Sequence, residues 1–325
     1  MLPIPEQPTW SIIDSSKLDT FERCKRLFFY EYILGWRSEA ANHDLHFGTA
    51  WHLAREHQLL FGYDKVYDAY TKFIDYYRLE FPEESDDIYQ PKEPFAVMKA
   101  LDKFAEERSS DLTENELLLT ETAGTVPINQ QGDVLYYRMD SVLRNNDSGK
   151  IFSWDHKSKK GAFNRTWEEK FQLSLQNGTY THCMYCMYPI EDVLGIEFCG
   201  TSFEYLSRKS KARDAGYHIN FNRVPSFKPP GQMNAWLWTV NDLYSELMRE
   251  MDRLSHCSAE DKVFMAFPMN DTNCTSFWGC KYHDFCISWQ NPLQRCQHPP
   301  LGFVEEHWNP SEIEATNKKD LEWKE

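Results

Sequence analysis

No segment of this 325-residue chain approaches the roughly 20 consecutive apolar residues that a bilayer-crossing helix needs. Neither a targeting leader nor an internal repeat is evident, so the sequence predicts a soluble cytoplasmic protein without a membrane partner. A Gly-x-x-x-x-Gly-Lys-[Ser/Thr] phosphate loop is also missing, which excludes a nucleotide-driven motor of that type within the chain. Positive charge is scarce: 35 Lys and Arg stand against 50 Asp and Glu, for a net charge of -15. A field of that sign repels polyanions, so any hold on phosphates must come from local basic patches, bound metal or a narrow channel. The nine cysteines are odd in number and scattered, which argues against a secreted disulfide framework and for core thiols or metal ligands. Aromatic residues are abundant at 15%, enough bulk to fill one substantial domain or two smaller ones.

The chemistry concentrates in Asp140, the triplet Asp155-His156-Lys157, and the pair Gln176 and Tyr180. Val134 to Met139 and Ile151 to Trp154 are rich in strand formers, and Arg144 to Gly149 is a dense turn signal between them. The two runs read as an antiparallel hairpin that brings Asp140 and Asp155 close together. Alternation puts Asp155 and Lys157 on one face of the strand and turns the His156 side chain away, with its backbone carbonyl left as a metal ligand. Two carboxylates hold a hard divalent cation, Mg2+ or Mn2+, and a lysine can orient an attacking water, which is the equipment for hydrolysing a phosphodiester. DNA is therefore the expected substrate. Taken alone, Asp-x-Lys also occurs on ordinary surface hairpins.

Cys274, Cys280 and Cys286 lie in a Gly-, Asn-, Thr- and aromatic-rich stretch that burial alone explains poorly. Three thiolates need a fourth ligand, and either a cubane cluster or tetrahedral zinc is compatible, with Cys24 as the candidate fourth or His283 as a nitrogen ligand for zinc, and Cys296 as the substitute for a member of the trio. Cys183 and Cys186 fall within a helix and read as core residues. Two basic clusters stand out, Lys157, Lys159, Lys160 and Arg165 beside the carboxylates, and the loop Arg208 to Arg213. Phe163 and Trp167 suit base stacking or, more commonly, core packing.

These residues, in this order, resemble the PD-(D/E)XK nucleases, specifically their RecB-like branch. Ser15-Ser16-Lys17-Leu18, Phe21, Cys24, Arg26, Phe29, Tyr30, Tyr32, Leu34 and Gly35 look like that family's opening helix, with Lys25 where a proline is usual. Gly48 to His52 is similar to its Gly-x-x-x-His element, followed by Asp140, Asp155, Lys157 and Gln176-x-x-x-Tyr180. The resemblance implies a restriction-endonuclease-like α/β core, a mixed central sheet flanked by helices, with His52, Asp140, Asp155 and the His156 carbonyl binding Mg2+ or Mn2+. Lys157, Gln176 and Tyr180 complete the implied catalytic set. Glu121, and His46, Glu56 and His57 near His52, compete for parts of these roles. Cys24 with Cys274, Cys280 and Cys286 is similar to the 4Fe-4S cysteines of AddB-type helicase-nucleases and CRISPR-associated exonucleases, although the late cysteines are more widely spaced here.

The implied activity is that of a DNA exonuclease acting on single strands or duplex ends in recombination or repair, in a bacterial or phage-infected cell. The compact layout is similar to phage-encoded and CRISPR-associated stand-alone members. A helicase or recombination partner, and a homo-oligomer threading DNA, are expected from relatives. Competing classes are a catalytically silent DNA- or partner-binding module with the cluster, and a zinc-stabilised interaction protein.

Periodicity predicts helices at about 16–34, 46–61, 64–80, 93–108, 167–187 and 232–254, and strands at about 116–128, 134–143, 150–157, 193–206 and 215–223. The expected division is a helical region over 1–112, a nuclease core over 113–258, a cysteine region over 259–308 that joins the chain's two ends, and a loose polar tail over 309–325.

Overall fold

Asp14 opens the first helix, α1 (Ser15–Arg23), by accepting from the Lys17 amide. The Lys17 side chain turns back into the protein, and its ammonium donates to Thr9 O at 2.7 Å and Ile12 O at 2.6 Å. Those bonds offset the cost of burying a lysine that is 1% exposed. The computed structural model describes residues 2–209, 213–275, 279–312 and 317–323. The single helix expected over 16–34 is broken at Cys24, which is extended (φ -164°, ψ 113°), and resumes as Lys25–Phe28 and a π-helical turn, Phe29–Ile33. Leu18 and Phe21 before the break share one core with Phe28 and Phe29 after it, so apolar periodicity did not reveal the interruption.

Three further helices, α2 (His43–Phe61), α3 (Val66–Tyr77) and α4 (Pro94–Glu107), complete the helical first third. There follow β1 (Asn115–Pro127), β2 (Val134–Asn145), β3 (Ile151–Lys160), α5 (Leu175–Met187), β4 (Val193–Leu206), β5 (Gly216–Ser226) and α6 (Pro230–Ser255). The helix expected from 167 starts again at α5, because Ser174 caps a fresh N-terminus by accepting from the Asn177 amide. The sheet is mixed, in the order β5-β4-β3-β2-β1-β6; β3 and β4 are parallel, connected through α5, while β1–β2, β2–β3 and β4–β5 are antiparallel.

Strand β6 (Asn317–Lys318) corrects the expectation of a loose tail. It pairs in parallel with Thr122 and Ala123, Asp320 accepts from the Thr125 amide, the Tyr137 hydroxyl donates to Lys319 O, and Leu321 is buried. Gly124 permits this approach, since a Cβ there would lie 2.0 Å from Lys319 O. The docking combines backbone pairing with one carboxylate, one phenol and a single buried leucine, too few apolar positions for the polar composition to reveal it. One hydrophobic core takes in Phe29 and Trp36 from the first expected region, Met139 and Phe198 from the second, and Phe264 and Phe267 from the third. The ends also meet in a two-stranded ribbon, Trp36–Ser38 against Phe303–Glu305. No described helix is long and apolar enough to cross a membrane.

Helices α5 and α6 approach closely at Gly178, where an added Cβ would lie 2.0 Å from the Trp236 indole nitrogen. Gly178→Ala should therefore force the helices apart and destabilise the fold by about 1–3 kcal/mol, as overpacking does. Urea denaturation measures that loss; unchanged stability would show that the interface yields freely.

Candidate functional site

The ladder between β2 and β3 runs from Arg144 opposite Ile151 to Ser141 opposite Trp154, and ends there. Asp140 and Asp155 are the next residue on each strand, at the mouth of the fork. Asp140 Oδ2 accepts from the His156 amide across that fork at 2.7 Å and lies 3.0 Å from His52 Nδ1. Helix α2 brings His52 there: Asn42 caps its start, and Phe47 and Trp51 pack edge-on against Phe203 of β4. Lys157 Nζ sits 2.8 Å from Asp155 Oδ2, so the alternation expected of the triplet holds. The His156 side chain is buried, and burial together with the Arg55 guanidinium drives its imidazole pKa well down, keeping it neutral.

The structure adds Glu121. It occupies β1 between the pairs Thr120–Ser141 and Thr122–Met139, opposite Asp140. Its backbone has φ +40°, a left-handed conformation that costs energy in a buried non-glycine residue. His52, Glu121 and Asp140 each present a ligand atom within 4.8 Å of the other two. Position on the preceding strand was a thin signal for Glu121, and the pairs on either side of it are what set it across from Asp140. His46 bonds instead to Tyr76 O, and His57 stacks on Phe61.

The carboxylates titrate unequally. Burial opposes ionisation of Asp140, but the His52 ring, with His156 and Lys157, overrides it and holds the carboxyl well below its ordinary range. Burial, and then Asp140, push Asp155 upward against the pull of Lys157. Glu121 is raised to about 7, first by burial and then by Asp140, despite an Arg138 guanidinium 2.6 Å away. Burial would depress His52, but Asp140 more than reverses this and raises it. An imidazole with oxygen ligands from two or three carboxylates suits Mg2+ or Mn2+. Tyr180 sits near both aspartates; its hydroxyl accepts from Gln176 Nε2 at 2.9 Å, and burial followed by Asp155 and Asp140 holds its pKa well up, so it stays protonated.

Local positive charge comes from Lys157, Lys159 and Lys170; burial and then the two neighbouring lysines lower the Lys170 pKa. Arg165 pairs with Glu169, while in the basic loop Lys209 pairs with Asp214 and Arg213 with Glu204. Ser210, Lys211 and Ala212 of that loop lie outside the described residues. Phe163 and Trp167 pack on each other over Gly200, which makes them core packing.

A second constellation lies near the meeting of the chain's ends. Cys24, Cys274, Cys280 and Cys286 line the same cavity, with His283 also on its wall. The thiols feel one another's charge: burial and then Cys280 and Cys24 raise Cys274, while burial lifts Cys286 to about 11 against the pull of Arg26, with the other three thiols adding to the rise; among the described residues no three of these sulfurs lie within 4.8 Å of one another. Such a set suits a thiophilic metal centre. Cys296, the substitute for a member of the trio, donates to Leu293 O and does not line that cavity. Cys183, Cys186, Cys199 and Cys257 are buried elsewhere.

A model of the PD-(D/E)XK nuclease superfamily matches residues 15–286, spanning both constellations. No curated protein matches the sequence. Among solved structures, that of SSO0001 is similar at 13% identity over 61% of this chain and 73% of its own, with a TM-score of 0.24, too low to carry an argument.

A divalent cation must displace protons from His52 and from Glu121. Metal affinity should therefore strengthen as pH rises through about 7, by up to roughly tenfold per pH unit for each proton displaced. Glu121→Gln should bind Mn2+ at least about tenfold more weakly at high pH and with a shallower pH slope. Calorimetric titration with Mn2+ on either side of neutrality reads both effects; equal slopes for the two proteins would remove Glu121 from the site.

Proposed function

The chain belongs to the PD-(D/E)XK nuclease superfamily, and from that premise we propose that it is a Mg2+- or Mn2+-dependent DNA exonuclease of the RecB-like, AddB-like iron-sulfur branch, similar to phage-encoded and CRISPR-associated stand-alone members. It acts on single strands or duplex ends, in the cytoplasm, during recombination or repair. The observation that carries this reading is the fork at which His52, Glu121 and Asp140 converge beside the Asp155–Lys157 pair.

His52, Glu121, Asp140, Asp155 and the His156 carbonyl would hold the cation. When bound, it supplies Lewis acidity at a phosphoryl oxygen and a more acidic water. Lys157 has only hydrogens to donate, so it orients a water through its lone pair or offsets charge on the phosphate, and Asp155 fixes its position. Tyr180, held by Gln176, presents a hydroxyl that stays protonated toward the same space. Lys157, Lys159 and Lys170 counter locally the overall charge of -15. With no phosphate loop in the chain, unwinding of duplex DNA falls to a partner helicase.

Cys24, Cys274, Cys280 and Cys286 would hold a 4Fe-4S cluster, which supplies a covalent tie between the two ends of the fold. The His283 imidazole on the cavity wall favours zinc as the alternative occupant, and metal analysis separates the two.

Asp155→Asn and Lys157→Met should each reduce cleavage of end-labelled linear DNA by about 10²–10⁴-fold while leaving thermal unfolding near wild type. Full activity in the double variant would remove the pair from catalysis. Cys274→Ser should lose bound iron and lower the unfolding temperature together; iron at the wild-type level would exclude Cys274 as a ligand.

A further inference from the structure

An aromatic shelf covers the sheet beside the Asp155–Lys157 pair. It is built by the short helix Arg165–Glu169 and the turn that follows. Trp167 is buried against Gly200, where an added Cβ would come within 2.3 Å of it, and its ring centre lies 4.9 Å from that of Phe171. Phe171 stacks in turn on Phe198 at 4.2 Å. Phe198 and Gly200 are the β4 residues in register with Asp155 and Lys157 on β3. Residues so paired point to the same side of a sheet, so the shelf and the Asp155–Lys157 pair share one face, on strands about 4.8 Å apart.

Lys170 lies across that shelf. Its ammonium sits 4.8 Å from the Phe171 ring centre and 5.8 Å from that of Trp167. Among the described residues no carboxylate pairs with it: Asp155 is engaged by Lys157, Glu169 by Arg165 and Glu168 by Asn222 Nδ2. Lys159, on the same face of β3, turns its ammonium back to Lys160 O at 3.1 Å. The rings under Lys170 draw its stem down and hold its charge over the face of the site. The turn beneath is fixed as well. Asn164 accepts from the Trp167 amide at 2.9 Å, Asn177 Nδ2 donates to Phe171 O at 3.0 Å, and Lys228 Nζ donates to Gln172 O. The cation is thus set in place beforehand, and an anion arriving there has little left to order.

Resting on the nuclease reading above, we propose that Lys170 binds the DNA phosphate one step along the strand from the scissile one, its ammonium held there by the Trp167–Phe171 shelf. An unpaired cation one strand across and one ring layer above the Asp155–Lys157 pair is within a nucleotide's length of the bond to be cut. Lys170 is then a substrate-binding residue that fixes the register of the strand over the metal site and carries no information about base sequence. It makes a flanking phosphate part of what the site recognises. The substrate class that satisfies it is a polynucleotide, since an isolated phosphodiester has no second phosphate to offer.

The test follows cleavage of a short end-labelled single-stranded oligonucleotide by the full-length protein with Mn2+, with kcat and KM measured over a range of salt. Lys170→Met keeps an apolar stem on the rings; it should raise KM about tenfold, the worth of one charge-assisted hydrogen bond, with kcat changed by less than about threefold. The slope of log(kcat/KM) against log salt should become shallower by about 0.7, as for one lost phosphate contact on a single strand. Lys170→Arg should restore both. Arg165→Met is the control, since Glu169 already engages that charge, and should leave the slope in place. A second arm needs no variant to fold: a neutral methylphosphonate on one side of the first bond cut should weaken the wild-type protein as Lys170→Met does, and should weaken Lys170→Met no further. Additive losses, or an unchanged KM and slope in Lys170→Met, would overturn the assignment to Lys170 while leaving the nuclease standing. Wild-type protein that cleaves no better than Asp155→Asn would overturn the nuclease reading, and this inference with it.

Discussion

Asp140 is where three separate parts of the chain are bound to one another. Its carboxylate takes a hydrogen bond from the His156 amide on β3 and an ion-pair contact from His52 on α2, while its backbone belongs to β2. Glu121, contorted on β1, faces the same point. A buried carboxylate survives only where such partners outweigh desolvation, and here the partners are the groups a nuclease site needs. Asp140 therefore fixes the angle of α2 on the sheet, the width of the fork and the protonation of the imidazole. Catalytic geometry and fold stability are difficult to separate at this residue.

The second dependence is between the two ends of the chain. Arg26 holds Phe267 O, Asn270 holds Arg23 O, the Tyr282 hydroxyl holds Trp36 O, and a ribbon joins Trp36–Ser38 to Phe303–Glu305. These bonds are made by the protein itself. The cluster proposed at the four cysteines would reinforce a closure that already has its own aromatic core, so it would be a rivet through a seam and not the seam itself.

Much of this was legible because strand and helix periods survive burial. The hairpin logic that brought Asp140 near Asp155, the turn of the His156 side chain away from Lys157, and the place of Cys24 on the same cavity as the late trio follow from short-range pattern or from motif order. What escaped has specific causes. The break at Cys24 left no mark because both halves feed the same core, and Glu121 stood as one competitor among several because strand position alone does not fix its register against Asp140. The docked tail is held by a short parallel pairing over Gly124, the Asp320 carboxylate and one leucine, Leu321, which make no period for a side-chain pattern to show. Of the basic residues, several proved to be spent on nearby acids, which charge runs alone do not disclose.

The seam between the ends also imposes an order of events during synthesis. Phe28, Phe29, Tyr30 and Trp36 leave the ribosome early, yet their packing partners Phe264, Phe267, Tyr282, Phe285 and Trp289 lie more than 200 residues later. Until those arrive, the nascent chain carries a strip of bare aromatic rings with nothing to cover it. Contacts of such sequence separation form slowly, and exposed apolar strips of this kind are what chaperones hold. The closure that unites the folded protein leaves these aromatic rings without their partners until residues beyond 263 have been made.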